Sequence, residues 1–189
     1  MERNSVLARV SIAVQANVPV FWWGSPGTGK TSVVSELGTA LPGFKETRVI
    51  SLVTRDSTDV GGIQVPDETD PLVASRRYDE WAVTAHRVPT LLVFDELNRA
   101  RPTTQDAALR VTQERVVGDL PLHNGTRIIN IGNPPSTDSG ARELHAALAN
   151  RMYHENGEID FDQWTSWLMG TSGAVGGCVE DVVRKGFRR

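Results

Sequence analysis

Cysteine is nearly absent from this chain: Cys178 is the only one in 189 residues. No intramolecular disulfide framework and no cysteine-built zinc site can therefore form, and a reducing, cytoplasmic setting is the expectation. Long apolar runs are missing too. No stretch approaches the roughly 18 consecutive apolar residues of a membrane-crossing helix, so no membrane association is expected. The first residues set Glu2 beside Arg3 and interrupt their apolar positions with Asn4, Ser5, Arg9, Ser11, Gln15 and Asn17, which is not the pattern of a signal peptide. An excess of positive charge is also lacking. The 20 Lys and Arg residues face 23 Asp and Glu, for a net charge of -3. Without a basic field over the surface, phosphate recognition has to be built locally, and nucleic acid is an unlikely partner. His86, His123, His145 and His154 are too scattered to read as metal ligands, and they are assigned to surface or core. No internal repeat is present.

What remains is an ordinary globular composition, 39% hydrophobic and 23% charged, with enough length for one main domain. Four apolar runs, at 18–23, 47–53, 90–94 and 127–131, are rich in Val, Ile and aromatics and bounded by turn formers. Such runs suit parallel strands covered on both faces. Between them, Val33, Val34, Leu37, Ala40 and Leu41 recur at helical spacing, and Pro102 opens a second helical pattern through Ala107, Ala108 and Val111. The alternation predicts an α/β fold. Residues 56–78, with Gly61, Gly62, Pro66 and Pro71 and little periodicity, read as a long excursion, with Arg76 and Arg77 as solvated charges. Residues 116–125 hold two turn dipeptides and predict a small hairpin.

The chemistry-bearing motif lies after the first run. Gly24-Ser25-Pro26-Gly27-Thr28-Gly29-Lys30-Thr31 fits GxxxxGK[ST] between a strand and a helix. Its glycines let backbone amides turn toward phosphate, and the following helix adds a favourable dipole. Lys30 is expected on the β- and γ-phosphates and Thr31 on Mg²⁺. The run Leu91-Leu92-Val93-Phe94 delivers Asp95 and Glu96 at a strand end. Asp95 is expected to hold the metal, and Glu96 to orient or deprotonate an attacking water. Asn133 closes the fourth run, where it either contacts water and γ-phosphate or starts the turn at Pro134. Arg151 is either a solvated surface charge or a donor projected into a neighbouring subunit; spacing is compatible with both. Trp22 and Trp23 should face opposite sides of their strand. Trp164 and Trp167 read as the apolar face of a short helix.

Four blocks together resemble an AAA+ ATPase, and in finer detail the MoxR group: GSPGTGKT, DELNRARPTTQDAALRVTQER, IINIGNPP and LHAALANRMY. The resemblance spans residues 18–167 and implies a P-loop NTPase three-layer sandwich with a parallel five-stranded sheet of order 5-1-4-3-2. It further implies ATP and ADP with Mg²⁺ as ligands, a homo-oligomeric and usually hexameric ring, and interfacial ATP sites. A partner bearing a von Willebrand factor A domain is often found in that group, whose members remodel or activate proteins. On this resemblance Asn133 is similar to a sensor 1 residue and Arg151 to an arginine finger. The excursion resembles the helix 2 insert of the group and the hairpin its pre-sensor 1 hairpin. Residues 1–157 are then the nucleotide-binding core, and 158–189 a short tail in place of the usual helical lid. Three functions follow as expectations: ATP hydrolysis coupled to partner remodelling, a nucleotide-gated assembly module with little turnover, or, least favoured by the charge, a nucleic-acid motor.

Overall fold

The computed structural model describes residues 3–70, 72–144 and 146–157. Trp164, Trp167, Cys178, His145 and the expected tail lie outside them. Five parallel strands form the central sheet: β1 (Val20–Trp23), β2 (Glu46–Ser51), β5 (Thr90–Asp95), β8 (Arg127–Gly132) and β9 (Tyr153–Asn156). They run in the spatial order β2-β5-β8-β1-β9. Counted among these five alone, that is the expected 5-1-4-3-2. Four further strands stand apart as two antiparallel hairpins, β3 (Ile63–Pro66) with β4 (Ala74–Arg77), and β6 (Val116–Val117) with β7 (Leu120–Pro121).

Side-chain alternation along the strands splits the core into two. Val20 and Trp22 of β1 join Leu91, Val93, Ile129 and Ile131 under helices α1 (Arg3–Gln15) and α2 (Lys30–Ala40), which contribute Val10, Val14, Val34 and Leu37. Phe21 turns to the other face, with Leu92, Phe94 and Ile128. There it meets Val60 of α3 (Ser57–Gly61), Trp81 of α4 (Glu80–Arg87), Val111 of α5 (Pro102–Glu114) and Leu148 of α6 (Ala146–Ala149). Trp23 packs at the edge of that second cluster, so the two tryptophans do face opposite sides. Strand β2 departs from the expectation of full burial. As an edge strand it leaves Val49 at 42% exposure.

The excursion holds more structure than its composition announces. Asp56 and Asp59 close a capping box around α3. Val60 is fully buried, and Thr104 of α5 donates its hydroxyl to the Arg55 carbonyl at 3.1 Å. Arg76 is not a solvated charge. It donates to the Gly61 carbonyl at 3.1 Å and pairs with Asp119 at 3.2 Å, tying the β3–β4 hairpin to the β6–β7 turn. Arg77, paired with Glu68 and largely exposed, does follow the expectation.

Two elements escape a periodicity reading, α1 and β9, and they hold each other. Arg9 of α1 forms a bidentate pair with Glu155 of β9 at 2.7 and 2.8 Å, and the Tyr153 hydroxyl donates to the same carboxylate at 2.6 Å. Glu155 retains only 4% side-chain exposure. Its carboxyl is held below the usual range mainly by the Arg9 hydrogen bonds, with burial opposing. A depressed folded value means the pair stabilises the fold fully above the ordinary carboxylate range. That contribution is lost as pH falls through the lowered value. Thermal denaturation followed from neutral into acid pH should show Arg9→Ala several degrees less stable near neutrality, with the difference from the parent shrinking in acid. Equal melting temperatures at neutral pH would remove the assigned role.

Candidate functional site

Parallel pairing brings every strand's C-terminal end to one edge of the sheet, and β8 lies between β1 and β5. The loops after these three strands are therefore neighbours although far apart in sequence. In register, Trp23 stands opposite Gly132, and Phe94 opposite Asn130. The glycine loop, the Asp95-Glu96 pair and Asn133 thus meet around one open cavity of about 620 Å³. Its lining comprises residues 26–32, Asp95, Glu96, Arg99, Asn133, Thr137, Asp138 and Ser139.

The loop geometry follows from its glycines. Gly27 and Gly29 take φ of 76° and 77°, the left-handed region in which a Cβ is costly. Gly29 then caps α2, aiming that helix N-terminus at the cavity. Lys30 is buried and donates from Nζ to the carbonyls of Gly24 and Ser25, each at 2.7 Å, and to Asn133 Oδ1 at 3.0 Å. A Cβ on Gly24 would come within 2.9 Å of the Lys30 chain, so glycine there leaves the lysine its path. Thr28 closes the loop by donating to the Ser25 carbonyl at 2.8 Å.

Thr31 donates from Oγ1 to Asp95 Oδ2 at 2.8 Å, joining the start of α2 to the end of β5. A hydroxyl and a carboxylate side by side offer hard oxygen ligands, the donor type that Mg²⁺ takes. Among the described residues no group of three or more His, Cys, Asp and Glu forms a metal cluster. The donor set fits a cation that takes one or two protein oxygens and completes its shell with phosphate and water. Glu96, one residue on, has φ of 56°, an unusual conformation for a non-glycine residue. Asp95 supports it by accepting the Glu96 N–H at 2.9 Å. The Glu96 carboxylate is held by Arg99 at 2.8 Å.

Asn133 is nearly buried and bridges two groups. Its Oδ1 faces Lys30, and its Nδ2 donates to Asp138 Oδ2 at 2.9 Å. Asn98, fully buried, donates to the Asn133 carbonyl at 2.8 Å and to the Arg142 carbonyl at 3.2 Å. A Cβ on Gly132 would lie 2.5 Å from both Asn98 Oδ1 and the Phe21 ring, so the backbone before Asn133 admits only glycine without displacement. The residues gathered here are Gly24 to Thr31, Asp95, Glu96 and Asn133. Arg151 is not among the cavity-lining residues. It is exposed at the turn after α6, donating from Nη1 to Gln113 Oε1 of α5 at 2.6 Å.

Residue-by-residue reading missed Arg99 and Asp138. Arg99 lies inside the DELNRA run, and its spacing from Glu96, one turn on, was an available signal for a pair. Asp138 lies in a loop whose sequence carries no such signal. Its carboxyl sits below the usual range, first through the Asn133 hydrogen bond and then the Gly140 amide, with burial opposing. Of the histidines, His154 stacks on Phe21 and Trp23 and accepts the Trp23 Nε1–H at 2.8 Å. Among the described residues no helix is long and apolar enough to cross a membrane.

The profile of the AAA domain (dynein-related subfamily) matches residues 19–152. Midasin of Giardia intestinalis is 24% identical over 168 residues, which cover 85% of this chain and 3% of that protein. The chain thus spans a small fraction of this relative's length. In fold it is similar to the crystal structure of a candidate ATPase from Cytophaga hutchinsonii, with a TM-score of 0.61 and 17% identity. That match covers 94% of this chain and 56% of the other.

Proposed function

The chain belongs to the AAA domain family, dynein-related subfamily, and from that membership we propose that it binds ATP with Mg²⁺ and hydrolyses it at the cavity above β1, β8 and β5. One observation carries the reading: Lys30, the Thr31–Asp95 pair, Glu96 and Asn133 converge from three separate strand ends on a single cavity.

The chemistry runs as an in-line displacement. Residues 24–31 cradle the phosphates with backbone amides while Lys30 exchanges carbonyl partners for phosphate oxygens. Thr31 and Asp95 would hold Mg²⁺, which supplies charge neutralisation on the phosphate oxygens. A water oxygen forms a bond to the γ-phosphorus as the bond from that phosphorus to the β-phosphate bridging oxygen breaks. Glu96 accepts a proton from the water, and Asn133 orients it. The products are ADP and phosphate. Arg99 engages one of the two Glu96 carboxylate oxygens, Oε1, at 2.8 Å, so this pair bears on how the carboxylate turns to the water.

A homo-oligomeric ring, MoxR-like in character, suits Arg151, which is exposed and away from its own cavity. In that assembly Arg151 serves the neighbour's γ-phosphate. Protein remodelling, with a partner bearing a von Willebrand factor A domain, is the corresponding output, and residues 1–157 act as the nucleotide-binding unit. The net charge of -3 disfavours a nucleic-acid substrate. The Arg99–Glu96 pair favours a second reading, a nucleotide-gated assembly module with slow turnover. Phosphate release with ATP and Mg²⁺, and again with excess EDTA, tests the choice. Turnover that EDTA abolishes supports hydrolysis. Bound ATP without turnover under any condition transfers the reading to the assembly module, and stimulation by DNA would revive the motor.

A further inference from the structure

Resting on the hydrolase reading, we propose that Asp138 is a positioning residue that sets the polarity of the Asn133 amide, turning its oxygen toward the reacting water. The two ends of an asparagine amide have nearly the same shape, and packing alone rarely decides which end faces where. Charge decides it here. The amide lies between Lys30 Nζ at 3.0 Å, which can only donate, and Asp138 Oδ2 at 2.9 Å, which as a carboxylate can only accept. Reversing the amide would set its N–H groups against an ammonium and its oxygen against a carboxylate. Both contacts would be repulsive, so one orientation survives.

Asp138 is itself held in place. Its Oδ1 accepts the Gly140 N–H at 2.9 Å, Arg99 Nε lies 3.7 Å from its Oδ2, and its side chain is 13% exposed. The Asn133 backbone is pinned by Asn98 and its side chain is buried, so reversal of the amide is the alternative that the two charges have to decide. With that alternative removed, Asn133 presents an acceptor to the cavity and not a donor. An attacking water has two O–H groups to place while a lone pair faces phosphorus. Glu96 takes one and Asn133 Oδ1 the other. The γ-phosphate oxygens, which need donors, are left to Lys30 and the loop amides. Asn133 then discriminates geometry at the water and contributes little to ATP affinity.

Steady-state turnover and the Kd for a fluorescent ATP analogue, measured on parent, Asn133→Ala, Asp138→Asn and the double variant, test the assignment. Asp138→Asn is nearly isosteric and removes one of the two charges that fix the amide, leaving only Lys30 to oppose its reversal. It should lower kcat on the order of 10²-fold, the scale of a misplaced reacting group, with Kd changed less than about twofold. The double variant should fall no lower than Asn133→Ala alone, because Asp138 acts only through Asn133. Asp138→Glu keeps an acceptor-only end and should retain more turnover than Asp138→Asn although it alters the volume more. Unchanged kcat in Asp138→Asn, losses that multiply in the double variant, or Kd rising in step with the loss of kcat would each overturn the role of Asp138 while leaving the hydrolase reading intact. If Asn133→Ala itself turns over like the parent, the assignment of water contact to Asn133 fails, and the role of Asp138 with it.

Discussion

Arg151→Ala should lower ATP turnover by about 10³- to 10⁵-fold with ATP binding retained, the range seen when an arginine donor to a transferring phosphoryl group is removed. The argument is positional. Arg151 is exposed, leans on Gln113 through one guanidinium nitrogen and lies outside its own cavity, so it has nothing to offer the γ-phosphate of its own chain. A neighbouring copy would supply the missing charge, with the guanidinium fork matched to phosphate oxygens. Turnover per subunit of the parent should therefore rise with protein concentration as neighbours associate. Mixing inactive Arg151→Ala chains that keep an intact cavity with Glu96→Gln chains that keep Arg151 should restore part of the turnover. Concentration-independent turnover that survives Arg151→Ala would return this residue to the role of a surface charge.

Glu96→Gln should lower kcat by about 10²- to 10⁴-fold, the usual contribution of a positioned general base, and leave nucleotide binding near the parent value. Glutamine preserves the size of the side chain and can still accept from Arg99, so the local backbone, already at φ of 56°, keeps its support from Asp95. What is lost is the capacity to take a proton from water. Phosphate release and analogue binding measured on the same preparation separate the two effects. Binding lost together with turnover would mean that Glu96 holds the cavity together, and undiminished turnover would move the proton acceptor elsewhere.

Local signals account for what was readable in advance. GSPGTGKT is a contiguous motif whose conformation depends on its own glycines, and Gly27 and Gly29 do adopt the left-handed conformation it needs. The runs at 90–94 and 127–131 are β-rich and apolar because both faces of those strands are covered. Strand β9, in contrast, reads Tyr-His-Glu-Asn, a polar string with no period-two signal. It is a strand because Arg9, 146 residues away, neutralises Glu155, and because the Trp23 indole bonds His154. Helix α1 went unread for the reciprocal reason, since its polar positions include the arginine that finds its partner only in three dimensions.

The same division runs through the site. By itself the amino-acid sequence determined an α/β chain with a phosphate loop, a strand-end Asp95-Glu96 pair and a polar residue at position 133, because each rests on neighbours a few residues apart. Only the tertiary structure decided that Asn133 sits between Lys30 and Asp138 with its oxygen inward, that Arg99 holds Glu96, and that Arg151 stands away from its own cavity. The physical reason is parallel pairing. It sets β8 between β1 and β5, so that charges far apart in the chain come within hydrogen-bonding distance, and at that range their signs dictate which atom faces which.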